Sequence, residues 1–163
     1  MARLPAQDSL QSFRFRVREI DGTNFMKNTE AGFKQATLPE VSMETAEHRV
    51  GNKKYAEKYP GVVSVGDISL MKGIASADSD FWDWAKAYLN RSAYRADLLI
   101  MVYGQIEDGT TDLDTPLRVL KCYNCFPIRV KVLGDLDSSS SDVLIQELDL
   151  SVEYIELEVS ELN

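Results

Sequence analysis

Apolar residues along this chain recur mostly at every second position, the spacing of a strand with one buried and one wet face. "FRFRVREI" sets Phe13, Phe15 and Val17 against Arg14, Arg16 and Arg18, and predicts a strand over 12–20. "GFKQATLPEVSMETAE" is less regular and predicts strand pieces interrupted at Pro39. Strand character resumes in "VVSVGDISLMKGI" and in "ADLLIMVYGQ", the second apolar enough for a buried strand. "LRVLKCYNCFPIRVKVLG" predicts one or two strands around Pro127, which lacks an N–H and so marks a break, an edge or a bulge. One segment has helical spacing instead. In "SADSDFWDWAKAYLN", Phe81, Trp84, Ala85 and Tyr88 form a single stripe, Asp78 is the expected N-cap, and Asp80 and Asp83 sit near the positive end of the dipole.

The end of the chain, "VLIQELDLSVEYIELEVSELN", alternates most strictly. Leu148, Leu150, Val152 and Tyr154 are separated by acidic or small polar residues, and the phase slips by one at Tyr154-Ile155. A slip turns every later side chain to the other face, so one long strand with a β-bulge is expected. "HRVGNKKYAEKYPG" has no period and predicts a long contact loop over 48–61; "EDGTTDLDTP" and "DLDSSSSD" predict a turn and a loop. The tally is about seven strands, one helix and no internal repeat, hence a mainly β (α+β) domain, a β-sandwich or partly closed barrel with one helix.

Its 163 residues suit one domain, with 1–11 read as an N-terminal arm. The start, "MARLPAQDSLQSFRF", lacks the apolar core of a secretory signal, so folding in a reducing cytoplasm is the expectation. A net charge of -8 argues against gripping nucleic acid, which requires clustered Lys and Arg. The acidity is uneven: from Asp135 to the end the chain holds Asp135, Asp137, Asp142, Glu147, Asp149, Glu153, Glu156, Glu158 and Glu161 and no basic residue. Solvated faces without partners would account for this acidic end and for the arginine face equally well.

Little in the chain suits catalysis. His48 is the single histidine, at the edge of the loop, and an interface imidazole fits it better than a base. "CYNC" has C-x-x-C spacing, but a structural zinc site takes four ligands and the chain offers no further thiols. On a regular strand Cys122 and Cys125 would point to opposite faces, which opposes a local disulfide. Two buried thiols is the simple reading; a disulfide or metal shared between subunits is the sharper one. Trp82 and Trp84 on the helix are weighed both as core and as an aromatic ligand site. No Walker motif, G-x-G-x-x-G or G-x-S-x-G context occurs, so no catalytic residue, cofactor or metal is expected. A small-molecule-binding barrel would need inward apolar residues rather than carboxylates at every second place.

The ordered motifs resemble the tube proteins of contractile tails, those of long-tailed phages and of phage-derived injection systems. "FRFRVREIDG" is similar to the family's first strand, and "AGFKQATLPEVSMETAEHRVGN" to its second strand pair. "YPGVVSVGDISLMKGIASADSDFWDW" resembles its Pro-Gly, strand, Lys-Gly, aspartate-rich turn and Trp-bearing helix. "LRVLKCYNCFPIRVKVLGDLDSSSSDVLIQELDLSVEYIEL" resembles its aromatic-Pro segment, serine-rich loop and acidic final strand, although the cysteines flanking Asn124 depart from the family pattern.

The resemblance implies subunits that join as hexameric rings with a continuous inner β-barrel, stacked into a tube. Four strands from each of six subunits give about 24 strands and, at ~4.8 Å spacing and ~40° tilt, a wall roughly 48 Å across. It implies as partners further copies of the chain, a tail sheath protein, baseplate and tail-terminator proteins, and a tape-measure protein and DNA passing through the lumen without specific binding. It implies a place in the virion after assembly in the host cytoplasm, and no membrane binding. Related roles are the type VI secretion tube and tube-initiating baseplate proteins. Within that frame Glu147, Asp149 and Glu153, or Glu156 and Glu158 beyond the slip, are the expected lumen-facing carboxylates. His48, Arg49, Asn52, Lys53, Lys54, Tyr55, Lys58 and Tyr59 are the expected contact residues between subunits or rings.

Overall fold

The computed structural model describes residues 14–20, 25–27, 32–105 and 111–159. The arm expected over 1–11, Phe13, residues 106–110 of the expected turn and Glu161 lie outside them. The order is β1 (Phe15–Glu19), β2 (Phe33–Thr37), β3 (Val41–His48), β4 (Glu57–Val65), β5 (Ile68–Gly73), α1 (Asp80–Leu89), β6 (Ala96–Gln105), β7 (Thr111–Lys131), β8 (Ile145–Ser151) and β9 (Tyr154–Val159). Seven of these strands form one antiparallel sheet, β1-β6-β7-β8-β5-β2 with β9 also on β7, while β3 and β4 pair, among the described residues, only with each other.

β7 makes this sheet a two-layered body. Its Arg118–Tyr123 half lies between β6 and β9, and its Phe126–Lys131 half pairs with β8. The first layer is therefore β1-β6-β7-β9 and the second β7-β8-β5-β2. Their inner faces supply one core: Val17, Leu98, Ile100 and Cys122 from the first, and Ile68, Leu70, Leu148 and Leu150 from the second. Each large apolar side chain so buried contributes about 1.5–3 kcal/mol.

The corner is a bulge. β7 runs from Cys122 to Cys125 while β6 advances only from Leu98 to Ala96, so β7 carries an extra residue there. Asn124 takes it up with φ 53, a left-handed conformation asparagine tolerates, and its N–H donates to Asp97 Oδ1 at 2.8 Å. The bulge returns both cysteines to the core side, which corrects the expectation of opposite faces for a regular strand. Both thiols are free and fully buried. Burial pushes Cys122 up to about 12; it raises Cys125 further, helped by Cys122 and Asp97 nearby.

The sequence expectation also changes elsewhere. There are nine strands among the described residues rather than about seven. Of the one or two strands expected around Pro127 there is one, of 21 residues, with the expected irregularity as a register shift between Pro127 and Arg129. The acidic end is two strands rather than one bulged strand. β8 ends at Ser151, the chain turns at Val152-Glu153, and β9 moves to the other layer. The expected loop 48–61 is a turn over 49–56 followed by the first half of β4.

Helix α1 closes the body against β7 and β8. Phe81 and Trp84 are buried; Trp84 stacks on Phe25 at 5.3 Å and donates its indole N–H to the Tyr94 carbonyl at 2.6 Å. Trp82 is exposed, so the two tryptophans share no ligand site. Ser79 rather than Asp78 occupies the N-cap position. Asp78 accepts the Asp80 N–H at 3.2 Å and forms an ion pair of 2.7 Å with Lys72, whose ammonium is also 3.5 Å from Asp80 and 4.7 Å from the Phe81 ring centre. Gln146 donates to Asp78 at 3.0 Å. Lys72 and Asp80 are buried, as is the Asp78 side chain, so β5, β8 and the helix start are joined by a dry charge cluster.

Breaking a buried ion pair from one side leaves an uncompensated charge and costs about 3–5 kcal/mol. Lys72→Met should lower unfolding stability by that amount in urea titration, and adding Asp78→Asn and Asp80→Asn should recover part of it. An unchanged midpoint in the single variant would contradict this role. A second expected outcome concerns the thiols: in native buffer at pH 8 both should resist a thiol reagent, and both should react within seconds in denaturant. Rapid labelling of the folded protein would show that the corner opens.

Candidate assembly surfaces

Three surfaces remain once the core is formed: the outer face of each layer and the β3–β4 hairpin. On the first layer the pairing register places Arg18, Leu99, Lys121 and Glu156 in one row and Arg16, Met101, Val119 and Glu158 in the next. Lys121 forms an ion pair with Glu158, and Tyr123 donates to Glu156 at 3.0 Å while stacking on Tyr154 at 4.5 Å. The hydrogen bond to Glu158 holds the Lys121 ammonium above its usual range, and the bond to Glu156 raises the Tyr123 phenol. β1 and β9 bound this layer, and each pairs on one side only among the described residues.

On the second layer Glu147 and Asp149 point away from the core, because Gln146, Leu148 and Leu150 take the inward positions of β8. Arg129 bridges both carboxylates, at 2.9 Å to Glu147 and 3.4 Å to Asp149, and Ser69 donates to Asp149 at 2.7 Å. These partners raise Arg129 above its ordinary value, Glu147 first. Glu153 belongs to neither face; it lies in the link between β8 and β9 and pairs with Arg95 at 3.3 Å. The five candidate carboxylates thus lie on two faces and a link: Glu147 and Asp149 on the second layer, Glu156 and Glu158 on the first, and Glu153 between them. Each is matched by a donor from elsewhere in the chain.

The hairpin is the third surface. Every residue of β3 is exposed, as is β4 from Lys58 to Ser64. Gly66 N–H to Glu40 O at 2.8 Å closes its base. It bends at a register shift where Gly61 lies so near Glu44 that a Cβ would meet its carbonyl oxygen at 2.9 Å. His48, Lys58 and Tyr59 are on its strands; Arg49, Asn52, Lys53, Lys54 and Tyr55 are in its turn. Lys53 and Tyr59 both bind Glu57, which lowers the Glu57 pKa, the lysine contributing more, and raises that of Tyr59. Lys58 lies 3.6 Å from Glu47. Much of the basic charge expected to meet a neighbour is therefore engaged within the hairpin, leaving Arg49 and Lys54 without a carboxylate partner among the described residues.

Sequence reasoning missed the apolar side of this hairpin. Val41, Met43 and Val63 are cross-strand neighbours on one face, with Met43 73% and Val63 60% exposed. An isolated two-stranded hairpin is marginal in water, and bare apolar side chains add a reason for a cover. The signal was present in "VSM" and "VVSV", alternating segments separated by the polar turn.

Among the described residues no group of His, Cys, Asp and Glu is arranged to hold a metal, and no helix is long and apolar enough to cross a membrane. No curated protein sequence matches the chain. Solved structures that share its fold include three components of contractile injection systems. A chain of the anti-feeding prophage cap (AFP tube terminating cap) superposes with TM-score 0.76 at 20% identity, covering 98% of this chain and 97% of that one. A chain of the extracellular contractile injection system PVC sheath–tube complex in the extended state gives 0.77 at 21%, covering 96% and 95%. A chain of the six-fold symmetrised AFP baseplate gives 0.73 at 22%, covering 95% and 99%. The family model for the T4-like virus tail tube protein gp19 matches residues 11–156. The two-layered β body with one helix therefore has its family: this chain belongs to the T4-like virus tail tube protein gp19 family, structural tube proteins rather than enzymes.

Proposed function

We propose that this chain builds the inner tube of a contractile phage tail as stacked hexameric rings that conduct DNA. The observation that carries the reading is a four-stranded antiparallel layer, open at β1 and β9, in a member of a tail tube family. Exposed edges invite pairing with another chain, and a closed ring removes them. The six-fold baseplate likeness supports the ring order, and the likeness to a sheath–tube complex supports a sheath around the tube. Baseplate and terminator proteins would cap its ends, and a tape-measure protein and DNA would occupy its bore.

We place the bore against the first layer, with Glu156 and Glu158 as its carboxylates and Glu147, Asp149 and Glu153 away from it. The second layer is less suited to closing a ring, because Lys34 at one edge and Arg129 and Lys131 at the other are all cationic. Bore carboxylates that engage Lys121 and neighbouring arginines would leave few free cations to bind phosphates. The hairpin, from His48 through the turn to Tyr59, would reach the next subunit or ring, covering Met43 and Val63 there. The near full-length likeness to AFP and PVC chains favours a second reading, a phage-derived injection system with protein cargo.

Purified protein should show rings or tubes by negative-stain microscopy, and its absence from any such assembly would contradict the tube. Met43→Asp with Val63→Asp should leave a folded monomer yet raise the assembly concentration about tenfold or more, since each buried apolar side chain is worth one or more decades of affinity. Wild-type tubes from that variant would rule out the hairpin contact. DNA inside intact particles supports the phage reading; intact particles carrying protein instead support the second.

A further inference from the structure

We infer that neighbouring copies join through one specific seam, β9 of one copy against β1 of the next, closed by Arg16 and Arg18 facing Glu156 and Glu158. The inference rests on the tube reading for its partner and goes further by naming strands, direction and charges.

Direction comes first. β1 runs opposite to β6, β6 to β7 and β7 to β9, so β1 and β9 are themselves antiparallel. A copy displaced sideways without being turned over sets its β1 beside this β9 in the antiparallel sense, and the ladder continues across the junction. Faces agree as well. Arg16 and Arg18 at one edge and Glu156 and Glu158 at the other lie on the same outer face, and all four are exposed. They also occupy matching rows: Arg18 with Glu156, and Arg16 with Glu158. A barrel needs a stagger between neighbours, and any even shift keeps these side chains on one face and within reach of each other.

The inner side of the β9 edge supplies an independent observation. Leu157 and Val159 alternate toward the core side, yet they are 60% and 52% exposed. A partner strand that covers them brings apolar side chains below, and cations above would add to Lys121 and Tyr123, which already engage Glu158 and Glu156. β1 has both, with Phe15 and Val17 facing inward and the arginines outward.

The charges also choose among assemblies. Two copies joined β9 to β9 would set glutamates against glutamates, and β1 to β1 would set arginines against arginines. Like charges directly opposite are unfavourable in a cross-strand pair. The symmetric dimers are thereby disfavoured, and the head-to-tail contact that remains is the kind that closes rings.

Charge reversal tests this by complementation. Arg16→Glu with Arg18→Glu makes both edges acidic; Glu156→Lys with Glu158→Lys makes both basic. Each variant, verified as folded by circular dichroism, should need about tenfold or more protein than wild type to assemble, as read by sedimentation velocity. Mixed in equal amounts they should assemble again, because every acidic edge then meets a basic one, and the fourfold variant should assemble alone. If each variant assembles as readily as wild type, or if neither mixing nor the fourfold variant restores assembly, the seam is wrong. If wild type itself never assembles, the tube reading falls and the seam with it.

Discussion

A strand at the edge of a sheet carries backbone N–H and C=O groups that need partners, and among the described residues the first layer of this protein has two such strands. Water can satisfy these groups in a monomer, but an open, alternating edge is also a template for another chain. Proteins that are to remain single usually blunt such edges with a bulge, a proline or an inward charge. β9 has none of these along Tyr154–Val159, and its inner apolar residues remain bare. The rest of the architecture positions these two edges and keeps them apart.

The strand that does so is β7. By passing from one layer to the other through the Asn124 bulge, it holds β9 on the first layer and β8 on the second. The acidic end of the chain is thereby divided between two faces. Below the corner the buried thiols fill the core, and the Lys72 cluster fastens the helix start to β5 and β8. On the body that results, the hairpin and the two edges of the first layer are left without cover among the described residues. In the proposed tube, these unfinished features are where the next copy would sit.

The alternation of apolar and polar residues made much of this legible. It located β1, β5, β6, β8 and the helix stripe, and it identified Arg16, Arg18, Glu147 and Glu156 as outward-facing. Period-two alternation says which side of a strand is wet; it does not say which strand lies next to it. The phase slip near Tyr154 was visible, yet a bulge and a change of sheet leave the same trace in sequence. Only the pairing with opposite halves of β7 distinguishes them. The cysteines misled for the converse reason, since a single left-handed residue between them reverses the parity that regular geometry assumes. The hairpin hid behind a lysine-rich turn whose residues looked aperiodic. Its ion pairs between Lys53 and Glu57, and between Lys58 and Glu47, are cross-strand or turn contacts that a linear reading does not reveal. The acidic tail looked uncompensated because its cations, Arg95, Lys121 and Arg129, lie up to 58 positions earlier in the chain.

The account depends on one physical claim, that the β-wall of this polypeptide is completed by other copies of itself. The most direct measurement is electron cryo-microscopy of the protein at high concentration, carried to a resolution at which strands are traced. The account predicts closed rings around an open bore, lined by an uninterrupted ladder that passes from β9 of each subunit to β1 of the next. A self-sufficient monomer without a central hole, or an assembly in which both strands stay open to solvent, would contradict it.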